Sequence, residues 1–322
     1  MPTISWTQRT KKNSGFSIGH AINADGSVII EQPRNVGGSL YKSTNLGASW
    51  GDNFSPATYN LLNSGHIFTD DDASVIIAKF FDGGSNYKTF FSVNGGTNWT
   101  DANKDGGAGG VALDADGSVM LAVGSSRLYK SVDTGSNWTE MTPAGAGTKS
   151  WNCLCMDNDG SLMIAGISGG RLYKSTDTGA NWSEIQPAGA ANKSWGTAAC
   201  SSDGTYIIVG EKTGRLYTSS NSGVNWTERQ PAGANDIFWD VDCSDDGIMV
   251  ASSRDSAGRT YISFDYGVTW EEMRPINDSN YQWSVRISAD GTKMFAQNHG
   301  NSAYSYYGEI ITASPSNFLQ LL

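Results

Sequence analysis

The sequence is poor in the features that mark several classes of protein. It contains no run of about 18 apolar residues, so we expect no membrane-spanning helix and no membrane insertion. Its 22 Lys and Arg are outnumbered by 32 Asp and Glu, and the net charge of −10 leaves no basic footprint for a nucleic acid. The first residues lack the basic and apolar regions of a secretory signal peptide. We therefore expect no nucleic-acid partner and a cytoplasmic, virion-associated or non-classically exported protein.

What the sequence has instead is a repeat with a period of 44 residues. Residues Arg171-Leu-Tyr-Lys-Ser-Thr-Asp-Thr-Gly-Ala-Asn-Trp-Ser-Glu184 have near-copies at 127–140 and 215–228. Each copy is followed by Pro-Ala-Gly-Ala and then by a tryptophan. A fixed period of this length indicates one supersecondary unit that is copied along the chain.

The kernel of the repeat is Ser-x-Asp/Asn-x-Gly-x-x-Trp, which occurs six times. Its Asp or Asn positions are Asn45, Asn94, Asp133, Asp177, Asn221 and Asp265. The alternating residues before the kernel predict a strand, and Asx-x-Gly predicts a tight hairpin turn, because the Asx side chain caps turn N–H groups and glycine tolerates positive φ. The tryptophan begins the return strand and covers the turn with a large apolar ring.

This kernel resembles the Asp box, or BNR repeat, of sialidases and of many non-enzymatic β-propellers, and the resemblance covers nearly the whole chain. It implies a structural role for the six boxes. The predicted fold is all-β: a single seven-bladed β-propeller of four-stranded antiparallel blades over residues 1–322. The predicted segments are the outer strand of blade seven at 4–8, blades one to six at 15–52, 66–101, 109–142, 151–186, 195–230 and 239–274, the rest of blade seven at 283–307, and a C-terminal tail at 308–322.

The predicted closure depends on the phase of Trp6, which lies 44 residues before Trp50. No strand precedes Trp6 in the chain, and blade seven lacks a box, so the N-terminal strand is expected to complete that blade. Closure of this kind removes the open sheet edge that would otherwise promote aggregation. Ile310 and Ile311 could alternatively add to a strand of blade seven.

Metal and cofactor sites are not predicted. The four cysteines (Cys153, Cys155, Cys200 and Cys243) lie in the first strands of three successive repeats, a placement that predicts buried free thiols instead of a disulfide framework or a metal site. The Asp-rich turns at 114–117 and 157–160 lack the downstream bidentate acid of a helix–loop–helix calcium loop, so turn chemistry is the better interpretation.

The sialidase-like resemblance implies that a ligand binds on the face with the connectors between blades. Two periodic series are predicted there: Trp151, Trp195, Trp239 and Trp283, which open first strands, and Arg171, Arg215 and Arg259, which open third strands. Asn192 and Lys193 lie in a connector beside them. An exposed indole offers a flat face for a sugar or a peptide, and Arg or Asn supplies orienting hydrogen bonds. The alternative is that each Trp packs in the core and each Arg pairs with a connector carbonyl or an acid.

Catalysis requires one asymmetric site, so an enzyme would be expected where the repeat is broken. Arg34, Arg254 and Arg286, with Asp240, Asp242 and Tyr304, form the candidate cluster near the ring closure. The resemblance to sialidases is incomplete, since the Arg-Ile-Pro segment is absent and no late Glu is placed to activate a tyrosine.

The sequence thus favours a non-catalytic propeller that binds carbohydrate, as a lectin does, or a surface receptor through repeated sites on the connector face. The alternatives are a sialidase-like glycoside hydrolase and a protein-docking scaffold, similar in fold to the photosystem assembly propellers.

Overall fold

A computed structural model describes residues 2–10, 17–33, 39–56, 66–81, 86–106, 109–233, 236–253, 259–273, 283–298 and 304–311. This part of the chain is built from strands and turns, and it contains no helix that could cross a membrane. The strands are β1 (Thr3–Thr10), β2 (Ser17–Ile22), β3 (Ile29–Pro33), β4 (Tyr41–Ser43), β5 (Ile67–Thr69), β6 (Ile76–Phe81), β7 (Tyr87–Ser92), β8 (Thr100–Asp101), β9 (Val111–Leu113), β10 (Met120–Gly124), β11 (Arg127–Ser131), β12 (Thr139–Met141), β13 (Trp151–Met156), β14 (Met163–Gly170), β15 (Leu172–Ser175), β16 (Ser183–Ile185), β17 (Lys193–Cys200), β18 (Ile207–Glu211), β19 (Leu216–Ser219), β20 (Thr227–Arg229), β21 (Phe238–Cys243), β22 (Met249–Ser253), β23 (Thr260–Ser263), β24 (Glu271–Met273), β25 (Trp283–Ile287), β26 (Lys293–Asn298) and β27 (Tyr304–Ile311).

The strands form antiparallel sheets, most of them four-stranded and consecutive in the chain. Such sheets contain β5–β8, β9–β12 and β21–β24, while β2–β4 form a three-stranded sheet. Two further four-stranded units, β13–β16 and β17–β20, are joined because the end of β14 also pairs with the start of β17. The expected all-β architecture of four-stranded antiparallel sheets is therefore present.

The N-terminal strand β1 lies in a sheet with the last three strands, in the order β1-β27-β26-β25. It pairs with β27 from Thr3 opposite Ile311 to Thr10 opposite Tyr304. Trp6 faces Gly308, where an added Cβ would lie 2.9 Å from the indole Cζ3, so glycine leaves the space that the ring fills. Strand β27 also includes Ile310 and Ile311, which extends it beyond the predicted end at residue 307.

The first strand of each sheet contacts the first strand of the next. The contacts run in order through β2, β5, β9, β13, β17, β21 and β25, and β25 in turn contacts β2. Apolar side chains fill the space between successive sheets. Trp151 and Leu154 of β13, for example, pack in one cluster with Leu121 and Leu128 of the preceding sheet. Each sheet therefore buries its two faces against its two neighbours.

In each sheet a turn joins the first strand to the second. Hydrogen bonds connect these turns from one sheet to the next, and we call the connected turns the turn ring. Each turn donates to the next, and the circuit returns to its start: Asp71 N to Ala115 O (3.0 Å), Ala115 N to Asn158 O (3.0 Å), Asn158 N to Ser202 O (2.8 Å), Ser202 N to Asp245 Oδ1 (2.9 Å), Asp245 N to Ala289 O (2.8 Å), Ala289 N to Ala24 O (2.8 Å) and Asn23 Nδ2 to Asp71 O (3.3 Å). These bonds tie the inner ends of the sheets together.

The six kernel turns share one hydrogen-bond pattern. In each, the serine hydroxyl bonds to the Asx Oδ1 at 2.8–3.0 Å and accepts the glycine N–H at 2.8–2.9 Å. The same Asx Oδ1 accepts the N–H four residues later at 2.7–2.8 Å. The side chains of the kernel are thus engaged in building the turn.

Candidate functional site

The first strands surround a central cavity of about 870 Å³. Residues of the turn ring, among them Asn158 and Asp245, line one end of the cavity. The other end, which we call the mouth, lies where the first strands begin, beside the connectors. The mouth is the place where side chains of several sheets meet solvent together.

Two members of the predicted tryptophan series do not reach the mouth. Trp151 and Trp195 keep only 5 % and 2 % of their surface exposed. Their rings pack edge-on against Tyr173 and Tyr217, with centroids 5.9 and 5.7 Å apart, in the layers between sheets. The expectation that they bind ligand is corrected, because a buried indole has no free face. The side chain of Trp283 lies outside the described part of the chain.

Trp239 differs from these two residues because it is 46 % exposed and lines the cavity. The core position that Trp151 and Trp195 fill is taken in β21 by Phe238, which is 2 % exposed. The strand registers show the equivalence: Trp195 pairs with Glu211, and Phe238 pairs with the corresponding Ser253. Since successive residues of a strand point to opposite sides, a shift of one position turns Trp239 out of the core.

A β-bulge follows the core aromatic residue in each of these strands. The registers shift between Trp151 and Cys153, between Trp195 and Thr197, and between Phe238 and Asp240. The extra residues are Asn152, Gly196 and Trp239, and all three line the cavity. A bulge re-aims a side chain without ending the strand. We call these three positions the bulge arc.

The side chain of Lys212 lies over Gly196, the middle position of the bulge arc. A Cβ at Gly196 would lie 2.7 Å from Lys212 Cγ, so the glycine lets the lysine stem cross the wall of the cavity. Lys212 Nζ donates to Asn152 Oδ1 at 3.1 Å. Asn152 Nδ2 in turn donates to Trp195 O and Gly196 O at 3.1 and 3.0 Å, which fixes the orientation of the amide.

A charged cluster lies deeper in the cavity and contains three residues of the predicted enzymatic set. Arg286 NH1 is 2.6 Å from Asp240 Oδ2, and Arg286 Cζ lies 5.9 Å from the centroid of the Phe68 ring. Ser284 Oγ donates to the same Asp240 oxygen. Asp242 Oδ2 accepts the Ile287 N–H at 2.9 Å, and Oδ1 accepts the N–H of Cys243 at 3.0 Å. Burial raises the pKa of Asp242 to about 6, although the Arg286 charge and these N–H groups oppose the shift.

The side chains of the other members of that set lie outside the described part of the chain. Arg34 and Arg254 lie outside the described residues. Tyr304 is described by its backbone, which pairs with Thr10 of the outer strand β1. Among the described residues, no group of three or more His, Cys, Asp and Glu side chains could hold a metal ion.

Two members of the arginine series pair with acids of the neighbouring fourth strand. Arg171 NH1 lies 3.6 Å from Glu184 Oε1, and Arg215 makes the equivalent pair with Glu228. These pairs join the third and fourth strands of a sheet. Arg259 is half-buried at the start of β23. Asn192 is exposed in the connector, while Lys193, the first residue of β17, pairs with Glu211 at 3.0 Å.

The four cysteines are free, as predicted. Cys153, Cys155 and Cys243 are buried and Cys200 is partly buried, all on first strands. Burial raises the pKa of the Cys153 thiol to about 12, which keeps it protonated at neutral pH.

No protein-family model matches this sequence, and neither does a curated protein. Solved structures do match its fold. The GH74 enzyme of Niastella koreensis aligns over 96 % of this chain and 54 % of its own, with a TM-score of 0.71 and 18 % identity. The GH74 xyloglucanase of Xanthomonas campestris aligns over 98 % and 55 %, also at 0.71 and 18 %. This chain thus spans about half the length of those two enzymes.

YCF48 from Cyanidioschyzon merolae matches over nearly the full length of both chains, 95 % and 98 %, with a TM-score of 0.64 and 16 % identity. A structure of YCF48 bound to a D1 peptide aligns over 96 % and 97 %, with a TM-score of 0.64 and 14 % identity. The chain is a β-propeller. At these identities the likeness concerns the fold of the propeller alone.

Proposed function

We propose that this propeller is a non-catalytic binding protein whose ligand enters the mouth and lies against Trp239. One observation carries the proposal: the indole of Trp239 is 46 % exposed at the mouth, while the core position next to it is already filled by Phe238. Exposing a large aromatic ring costs hydrophobic free energy, and such rings are enriched where proteins bind partners. Ile237, which is 39 % exposed, extends the apolar surface beside it.

We also propose the finer architecture of the scaffold. The propeller has seven blades, closed by β1 as the outer strand of the last blade, and the six kernel turns are Asp boxes. The circuit of hydrogen bonds in the turn ring, the pairing of β1 with β27 and the common bonding pattern of the kernels support this proposal.

The ligand that we favour is a peptide segment of a partner protein, which makes the chain a docking scaffold. The bulge arc offers an apolar ring, an amide and an ammonium group, which can contact an apolar side chain and the polar groups of a peptide. The near-complete mutual alignment with YCF48, a propeller solved with a D1 peptide, agrees with this choice. A single carbohydrate site is the second candidate, because an exposed indole also stacks on sugar rings. A lectin with repeated sites has less support, since Trp151 and Trp195 are buried.

The charged cluster favours binding over glycoside hydrolysis. A hydrolase needs one carboxyl group to donate a proton and a second to act as base or nucleophile. Here Asp240 is engaged by Arg286 and Ser284, and both oxygens of Asp242 accept main-chain N–H groups. The cluster links β21 to β25 and leaves neither carboxylate directed at a substrate.

The proposal is tested with Trp239→Ala. We expect this variant to fold normally and to lose binding to the peptides that the parent selects from a displayed random library. Tyr266→Ala is the matched control, because Tyr266 is 44 % exposed but lies in a kernel turn at the opposite end of the propeller. Equal binding by Trp239→Ala and the parent would overturn the assignment of the mouth, and selection of glycans from an array in place of peptides would overturn the choice of ligand.

A further inference from the structure

The bulge arc is chemically unlike the rest of the repeat. Its three positions lie on the successive, contacting strands β13, β17 and β21, at equivalent places in each strand. They present an amide from Asn152, the ammonium group of Lys212 over Gly196, and the indole of Trp239. The position of Lys212 in the preceding blade is occupied by Ser168, so the lysine is a departure from the repeat.

The hydrogen-bond partner of the Lys212 ammonium group is a neutral amide, which leaves the positive charge uncompensated among the described residues. Its ammonium group donates to the amide oxygen of Asn152, and within the described part of the chain no carboxylate lies at ion-pair distance from it. Two carboxylates that line the same cavity have other partners, Asp240 with Arg286 and Asp242 with main-chain N–H groups. Lys193, from the same region, is by contrast paired with Glu211.

The lysine is also held in position. Asn152 is fixed by two carbonyl groups, and the absence of a side chain at Gly196 gives the lysine stem its path. A held ammonium group loses less side-chain entropy on binding than a free surface lysine does. Among the described residues its other N–H donors have no partner, so they can donate to an anionic group in the mouth.

We propose that the ligand presents a carboxylate to Lys212 and, directly beside it, an aromatic or aliphatic side chain to Trp239. The inference rests on the proposed function, and it specifies the ligand as a peptide segment with an acidic group next to an apolar one. A single ammonium group matches a single carboxylate, whereas phosphate sites commonly gather several donors or an arginine fork. The net charge of −10 also repels a ligand that carries several negative charges more strongly than a ligand with a single carboxylate.

Two sources can supply the carboxylate: the free C-terminus of a peptide, or an internal Asp or Glu. Random hexapeptides displayed with a free C-terminus, and the same library with amidated C-termini, distinguish them. If Lys212 binds the C-terminal carboxylate, binders come from the library with free C-termini alone and have an apolar last residue. If a side chain is read, both libraries yield binders with Asp or Glu beside an aromatic or aliphatic residue, and changing that acid to Asn or Gln abolishes binding.

Lys212→Met tests the lysine directly, because methionine keeps an unbranched stem over Gly196 and removes the charge. We expect the selected peptides to bind this variant about tenfold to a hundredfold more weakly, the effect of removing one charge-assisted hydrogen bond. Lys149→Met is the matched control: it makes the same change on the connector side, at a residue that does not line the cavity. Melting temperatures of both variants within a few degrees of the parent establish that they fold.

The outcomes separate the two proposals. Peptides that depend on Trp239 but are indifferent to Lys212→Met and to loss of their carboxylate overturn the inference and leave the binding site at the mouth intact. Peptides that bind Trp239→Ala as well as the parent overturn the site and the inference together. The peptide assignment is overturned if neither peptide library yields a binder at submillimolar concentration while acidic glycans bind and lose affinity in Lys212→Met.

Discussion

Trp195 and Trp239 lie one period apart in the sequence, and their side chains have opposite environments. Trp195 is 2 % exposed between two sheets, and Trp239 is 46 % exposed at the mouth. The period conceals a local change in the connector before the first strand. Phe238 comes 10 positions after Glu228, whereas Trp195 comes 11 positions after the equivalent Glu184, so the core position of β21 falls one residue earlier, on Phe238.

This difference predicts how the two tryptophans contribute to stability. Trp195→Ala is expected to lower the free energy of unfolding by about 3–5 kcal/mol, because it removes a large buried side chain and leaves a cavity. Trp195→Phe is the matched variant and should cost much less, since phenylalanine fills the equivalent position at 238. Trp239→Ala should change stability by less than about 1 kcal/mol, as expected for an exposed site. Urea unfolding monitored by circular dichroism measures all three; similar values for Trp195→Ala and Trp239→Ala would contradict the assigned environments.

At the scale of the element, the kernel turn was the most predictable part of the molecule. Its bonds join residues at most four positions apart, so their formation depends on local sequence alone. Each of two kernel turns also accepts a hydrogen bond from a neighbouring blade. Lys42 Nζ donates to Gly95 O at 2.7 Å, and Lys174 Nζ donates to Ser222 O at 2.8 Å, so a turn is held by a lysine of the preceding sheet.

The turn at Asp177 predicts a pH dependence of stability. Hydrogen bonds from Asn181 and Ser175 lower the pKa of Asp177 from 3.8 to about 2. A carboxyl group whose pKa is lower in the folded state stabilises the fold above the unfolded pKa, and this contribution is lost as the pH falls through the folded pKa. The melting temperature of Asp177→Ala should therefore lie below that of the parent at pH 5–7, and the gap should narrow between about pH 4 and pH 2.

Asp177→Asn is the control for this prediction. Asparagine occupies the same position at 45, 94 and 221, where its Oδ1 accepts the same N–H bonds. We expect this variant to melt close to the parent at pH 7. A gap between Asp177→Ala and the parent that stays constant from pH 7 to pH 2 would show that the carboxylate charge contributes nothing to the turn.

At the scale of the whole molecule, the decisive contact joins the two ends of the described chain. Thr3 and Ile311 are direct antiparallel partners, so these residues lie side by side at one end of the sheet. A short hairpin can bridge two such residues. We therefore predict that a circular permutant folds to the same structure. Its chain begins at residue 17 and runs to residue 311, continues through a Gly-rich turn to residue 2, and ends at residue 10.

The comparison variant lacks residues 2–10 and carries the native order otherwise. It exposes the edge of β27, and we expect it to melt at a much lower temperature and to aggregate. Thermal unfolding and size-exclusion chromatography measure both variants. A permutant that fails to fold, or a truncated chain as stable as the parent, would contradict the role of β1 as the closing strand.

The sequence by itself determined the strands, the six kernel turns and the copying of one unit, because these depend on hydrogen bonds and alternation within a few residues. It also placed β1 next to the last strands through the phase of Trp6. Tertiary structure decided what the mouth presents. Whether a tryptophan is core or ligand surface depends on its register against a strand further along the chain and on where a bulge falls. Asn152, Lys212 and Trp239 belong to three blades, and only the packing of those blades brings an amide, a charge and a ring to one edge.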